Sequence, residues 1–275
     1  MLRIFVDSGA SLTTEERQRY GVDLLPVTVE MGDHTWLDGV DLPRDTFYRL
    51  LTHDRIFPKT ALPAPAHALD LAERYLRQGD EVLILCLSSD LSGTCQSLSM
   101  LFADEPRVTV VDTRLAVGGI RFLVREARRW DSLPVADIVD KLQALIPRIR
   151  LLACPDTLDF LLAGGRLTKA AWMVGSMLQL RPVLCFREGS LAVAAKKRGT
   201  KQAMQYIAET LAAEGVDPHY GIVASYTGQR ENLDKLLGML PPALRQWVTE
   251  FDDVCPTIGC HWGPNGYGLV YVAKE

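Results

Sequence analysis

Residues 87–97 read LSSDLSGTCQS, with Ser88, Ser89, Ser92, Thr94 and Ser97 in eleven positions and no lysine or arginine among them. The stretch follows the apolar run VLILCL and precedes LSMLF, so it reads as a turn between a buried strand and a helix. The first amide groups of such a helix lack intrahelical partners and favour an anion. Hydroxyls and amides together would cradle a small anionic head. A nucleoside triphosphate normally brings a lysine into the loop, but GxxxxGK[ST] is absent, and so is GxGxxG. A carboxylate carries one charge and is satisfied by two or three neutral donors, so it fits this inventory better than a phosphate. Ser88 and Ser89, taken singly, read as helix caps.

Other fragments carry chemistry too. Thr60 lies in PKTALPAP (58–65), a proline-flanked and therefore stiff loop ahead of a helix. His261 lies in IGCHWGPNGYG (258–268), read as a glycine-rich loop whose backbone can approach a ligand closely. Ser92 and His261 together raise a serine hydrolase as an alternative, although the GxSxG elbow is missing. A binder of a small phosphorylated metabolite, using the same helix start, is the other. Cys255, Cys260 and His261 form a CxxxxCH run with no second half, which is poor zinc spacing. Lys196, Lys197 and Arg198 make a short basic run, read first as a solvated edge and second as a docking patch.

The elements that position these residues follow α/β grammar. Strands are expected at 2–6, 23–31, 81–87 and 107–112, with helices at 65–79, 120–130 and 134–147 between and after them. EVLILCL is apolar at every position after the first, as in a parallel strand covered on both faces. Beyond residue 150 the pattern changes to short helices at 157–165 and 168–180, a hairpin over 182–196, helices at 200–215 and 230–240, and strands at 220–226 and 268–274. Two lobes result, 1–150 with a parallel sheet and 151–275 with a mixed one. The apolar helix at 168–180 offers Trp172, Met173 and Met177 for core packing or for lining an adaptable apolar pocket.

Composition narrows the class. A chain of 275 residues with net charge −4 and 48% hydrophobic residues can bury a large core, and it lacks the basic excess that nucleic acid demands. Six scattered cysteines without a CxxC pair suggest reduced, buried thiols in a cytoplasmic protein. No signal peptide is read at the N-terminus, and no apolar stretch is long enough for stable membrane insertion.

The motifs DSGASL (7–12), TALPAP (60–65), LSSDLSGTCQS (87–97), VDTRLAVGG (111–119), FLLAGGRL (160–167) and HWGPNGYG (261–268) occur in an order that resembles the DegV family, almost from end to end. The resemblance implies two α/β lobes with a long-chain fatty acid buried in an apolar tunnel between or beside them. It implies that the carboxylate is held by Thr60, Ser92 and His261, with Thr94 adjacent and Gly93, Gly119 and Gly263 supporting the loops. It further implies a non-catalytic carrier, without metal or cofactor, that presents the acid to a separate fatty acid kinase forming acyl phosphate for phospholipid synthesis. Arg166, Lys196, Lys197 and Arg198 are the docking residues expected for that kinase. The chain departs from the family pattern at TALPAP, where TSQPSP is common. It departs also at Val117 and Arg121, where serine and glycine are usual, and at Trp262 and Asn265, which replace threonine and glycine. Hydroxyl donors without a lysine would orient the carboxylate while leaving it nucleophilic.

Overall fold

The computed structural model describes residues 1–53, 57–167 and 180–274. The first sheet is all parallel. It runs β2-β1-β6-β7, built from Leu2–Asp7 (β1), Val22–Leu25 (β2), Glu81–Cys86 (β6) and Val108–Asp112 (β7). β6 is buried at every residue but Glu81, as its uninterrupted apolar run requires for a strand with neighbours on both sides. Helices Pro65–Leu76, Thr94–Leu101 and Gly118–Arg129 flank it, in the alternation read from the sequence.

The single strand expected over 23–31 is two strands in different sheets. Pro26 lacks an amide hydrogen and interrupts the ladder. Thr28–Met31 (β3) then pairs antiparallel with His34–Leu37 (β4) and Lys59–Ala61 (β5), giving a small third sheet in the order β4-β3-β5. Thr60 therefore stands on a strand, opposite Val29, rather than in a loop.

The second large sheet is mixed. Its order is β10-β9-β8-β13-β11-β12, from Ile149–Cys154 (β8), Leu180–Arg187 (β9), Ser190–Arg198 (β10), Ile222–Tyr226 (β11), Val248–Asp253 (β12) and Tyr267–Val272 (β13). β9 and β10 form the expected hairpin, with Glu188 and Gly189 at φ 51° and 88° in its turn. The apolar helix expected at 168–180, with Trp172, Met173 and Met177, lies outside the described residues, apart from Leu180, which opens β9.

One apolar core joins the two large sheets. It runs from Ile4 and Leu85 of the first sheet, through Ile120 and Leu123 of helix Gly118–Arg129, to Leu151, Val223 and Val270 of the second. Gly118 makes the close approach possible, because a Cβ there would stand 3.0 Å from Val223. The lobe boundary expected near residue 150 falls at the start of β8. Cys86, Cys95, Cys154, Cys255 and Cys260 are buried and Cys185 half-buried, all as free thiols. Among the described residues no cluster of metal-ligating side chains forms, and no helix is long and apolar enough to cross a membrane.

Candidate functional site

Between the large sheets lies a cavity of about 130 Å³ whose lining includes Thr60, Ser92, Arg166 and His261. It accommodates on the order of ten water-sized groups before any side chain moves. Away from those four residues the lining is chiefly apolar, with Leu87, Val117, Leu151, Leu161, Phe186 and Leu191. Exposure of Ala61, Leu62 and Gly93 beside Thr60 and Ser92 puts the opening at the polar end.

Each polar residue arrives on its own element. Ser92 ends the turn after β6, and its hydroxyl exchanges a 2.9 Å hydrogen bond with Thr94 Oγ1. Thr94 is fully buried, so it steadies Ser92 from behind and does not line the cavity. Ser88 and Ser89 are spent elsewhere: Ser88 donates to the Gly189 carbonyl at 2.7 Å, and Ser89 donates to Asp112 at 2.5 Å. The first of these bonds ties the turn to the tip of the β9–β10 hairpin.

His261 is on a helix, Pro256–Trp262, where a glycine-rich loop was expected. Pro256 fits the first helical turn, and Gly259 serves packing: a Cβ there would stand 2.6 Å from Phe47 and 2.8 Å from the Tyr48 hydroxyl. Gly263 ends the helix at φ 78°, hard against Phe160. Two further bonds hold the helix start, the Thr257 amide to Asp38 at 2.8 Å and the Tyr48 hydroxyl to the Val254 carbonyl at 2.7 Å. The result sets His261 Nε2 3.1 Å from Thr60 Oγ1. Its other ring nitrogen, Nδ1, is buried without a hydrogen-bond partner among the described residues.

Burial pushes the His261 imidazole down to about 4 from its ordinary 6.5, and the nearby Arg166 guanidinium pushes the same way. The ring is therefore neutral at pH 7. Because the folded value is depressed, the unfolded chain takes up a proton between pH 6.5 and 4 that the folded protein refuses, and stability falls as pH falls through that window. Denaturant unfolding of wild type and His261→Gln across pH 4–7 should show the acid-side slope flattened in the variant. An unchanged slope would mean that the imidazole is not held neutral.

Arg166 corrects the expectation of a wholly uncharged cradle. The hydroxyl turn carries no cation, but Arg166 reaches the cavity from the far side of the sequence. Its guanidinium donates to the Leu91 carbonyl at 3.0 Å and the Gly164 carbonyl at 2.5 Å. Lys196, Lys197 and Arg198 stand at the opposite end of β10 from Leu191, which lines the cavity. At about 3.3 Å per residue this separates Arg198 from Leu191 by roughly 20 Å. Lys197 lies over the Tyr206 ring, 4.6 Å from its centre. Gly93 precedes the helix Thr94–Leu101 and lines the cavity, whereas Gly119 lies inside helix Gly118–Arg129 against Leu115 and does not.

No hydrogen bond joins Ser92 to His261 among the described residues, since each is paired with a threonine. The departures from the family pattern find physical places. Val117 lines the cavity at φ 46°, an outlying conformation for a β-branched residue, with its amide bound to the Gly9 carbonyl at 2.7 Å. Arg121 is 1% exposed and meets Glu16, Glu250 and Asp252 at 3.2–3.4 Å. Sequence reading also passed over Ser225 and Thr227 in the cavity wall, single hydroxyls within or beside an apolar strand that carries no motif.

The fold and its cavity define an α/β protein with two large sheets and a largely apolar cavity between them, open where Thr60 and Ser92 stand. A family pattern described as "Uncharacterised protein, DegV family" matches residues 1–274. A DegV domain-containing protein of Caldanaerobacter subterraneus is 30% identical, over 99% of both chains. Among solved structures, a fatty acid binding DegV family protein of Streptococcus agalactiae superposes with a TM-score of 0.88 at 26% identity, covering 100% of this chain and 99% of its own. A DegV family protein of Thermus thermophilus, whose structure is described by its fatty acid binding, superposes at 0.85 with 28% identity and 99% coverage of both. The chain belongs to the DegV family.

Proposed function

We propose that this protein binds one long-chain fatty acid, tail in the cavity between the lobes 1–150 and 151–275, carboxylate at Thr60, Ser92 and His261. The observation that carries this reading is the cavity itself, apolar along most of its wall and with Thr60, Ser92 and His261 gathered at its opening. Each buried methylene contributes about 0.8 kcal/mol, so the tail supplies most of the affinity and the polar end mainly aims the head. Thr94 backs Ser92, and neutral His261 acts as a hydrogen-bonding group. Arg166 adds the one positive charge near the head among the described cavity-lining residues.

A carrier without activity of its own suits this arrangement, because Ser92 and His261 are not paired as nucleophile and base. The bound carboxylate near the opening would be offered to a fatty acid kinase, with Arg166 the docking cation nearest to it. Lys196, Lys197 and Arg198 would be reached only by a partner broad enough to span the hairpin.

Native mass spectrometry of the freshly purified protein tests the binding. An added mass equal to a long-chain fatty acid is expected, lost on delipidation and restored by added acid. A bare protein that neither takes up such acids nor gains thermal stability from them would overturn the reading.

A further inference from the structure

The cavity holds a second set of polar groups that the carboxylate does not use. Ser225 lies on β11, is 6% exposed, lines the cavity, and its hydroxyl is buried with no hydrogen-bond partner among the described residues. Strand alternation puts Ser225 on the face of Val223, toward the core between the sheets, and Thr227 follows two residues later. The Thr227 hydroxyl accepts the Gly266 amide at 2.7 Å, which leaves its proton available for donation. Trp262, also in the wall, brings its indole N–H to the same place. A Cβ on Gly266 would overlap the Trp262 nitrogen and stand 3.1 Å from Thr227 Oγ1. Indole is a donor only.

We propose that Ser225, with Thr227 and Trp262, forms a second recognition site that accepts an oxygen carried along the acyl chain, as in a hydroxy or oxo fatty acid. The inference rests on the fatty-acid reading above. An unsubstituted tail lying against Ser225 strands a buried hydroxyl without a partner, and a buried polar group left in that state is costly. A chain with an acceptor oxygen at the right carbon satisfies it. Sites that hydrogen-bond a ligand oxygen discriminate well against analogues lacking it, for the same reason.

The test is a competition on the delipidated full chain, read by native mass spectrometry. Octadecanoic acid competes with monohydroxy- and mono-oxo-octadecanoic acids substituted at successive carbons. One position, or a short run of positions, is expected to outcompete octadecanoic acid by about tenfold. The hydroxy and oxo arms show whether Ser225 only donates or also accepts. In Ser225→Val and Ser225→Ala the preference should vanish, with octadecanoic acid binding more tightly than to wild type because no hydroxyl is stranded against its tail. Preference for the unsubstituted acid at every position, or a preference that survives both substitutions, would overturn the proposal. Failure of every acid to bind, octadecanoic acid included, would bring down the fatty-acid reading and this site with it.

Discussion

Replacing Thr60 by valine and Ser92 by alanine together is expected to weaken binding of a saturated long-chain acid by about two to four orders of magnitude. In the proposed complex each hydroxyl would make a hydrogen bond to a charged acceptor, worth about 1.5–3 kcal/mol, with Thr60 on β5 and Ser92 in the turn after β6. Thr60→Val keeps the shape of the side chain and the β5 ladder, so the loss reports the hydroxyl and not the strand. It also deprives His261 Nε2 of its partner, which adds to the effect. The proposed tail site is untouched in the variant, so weak binding should persist. Ser89→Ala is the control, because that hydroxyl is already engaged by Asp112 outside the cavity wall. Titration of delipidated proteins with a labelled acid measures all three. A double variant within about threefold of wild type would remove the hydroxyls from the head-group site.

The largest effect on stability should come from Arg121. Its guanidinium is buried at the meeting of the two lobes, donates to the Ser11 carbonyl at 3.1 Å, and lies 3.4 Å from Asp252, which is 1% exposed. Burial alone would pull its pKa down, but Asp252, Glu16 and Glu250 more than offset this and hold the charge. Arg121→Met removes one partner and leaves a buried carboxylate short of countercharge, a change that costs about 3–5 kcal/mol. Asp252 keeps its bond from Ser11 at 2.8 Å and a 3.4 Å contact with Arg44, so the loss should stay within that range. Adding Asp252→Asn should recover part of it, because the stranded charge is then gone. Equilibrium unfolding of the two single variants and the double variant gives the coupling directly. A loss below about 1 kcal/mol in Arg121→Met would mean that Arg44 alone suffices for Asp252.

The parallel lobe was legible because burial on both faces leaves a mark that alternation does not. β6 is the clearest case, and the hydroxyl turn that follows it led directly to Ser92. Shorter elements left no such mark. A three-residue strand such as β5 is below the length at which any periodicity registers, so Thr60 looked like loop. Helix Pro256–Trp262 was hidden by Gly259, whose missing side chain answers Phe47 and Tyr48, far away in sequence. Arg166 was marked by the motif FLLAGGRL, as a docking residue, whereas Ser225 belongs to the cavity only through tertiary placement. Nothing in the flanking residues of Ser225 announces it.

The shared core between the sheets has a consequence for ligand traffic. Prising the lobes apart like a hinge would uncover Val223 and Val270 where they seat Gly118, and would break the ion cluster around Arg121. Both penalties fall on the most deeply packed part of the molecule. Among the described residues, exchange of the proposed lipid would instead run through the thin rim at Ala61, Leu62 and Gly93, where a three-residue strand and a helix start stand exposed. The residence time of such a cargo would then follow local opening of that rim, without separation of the two large sheets.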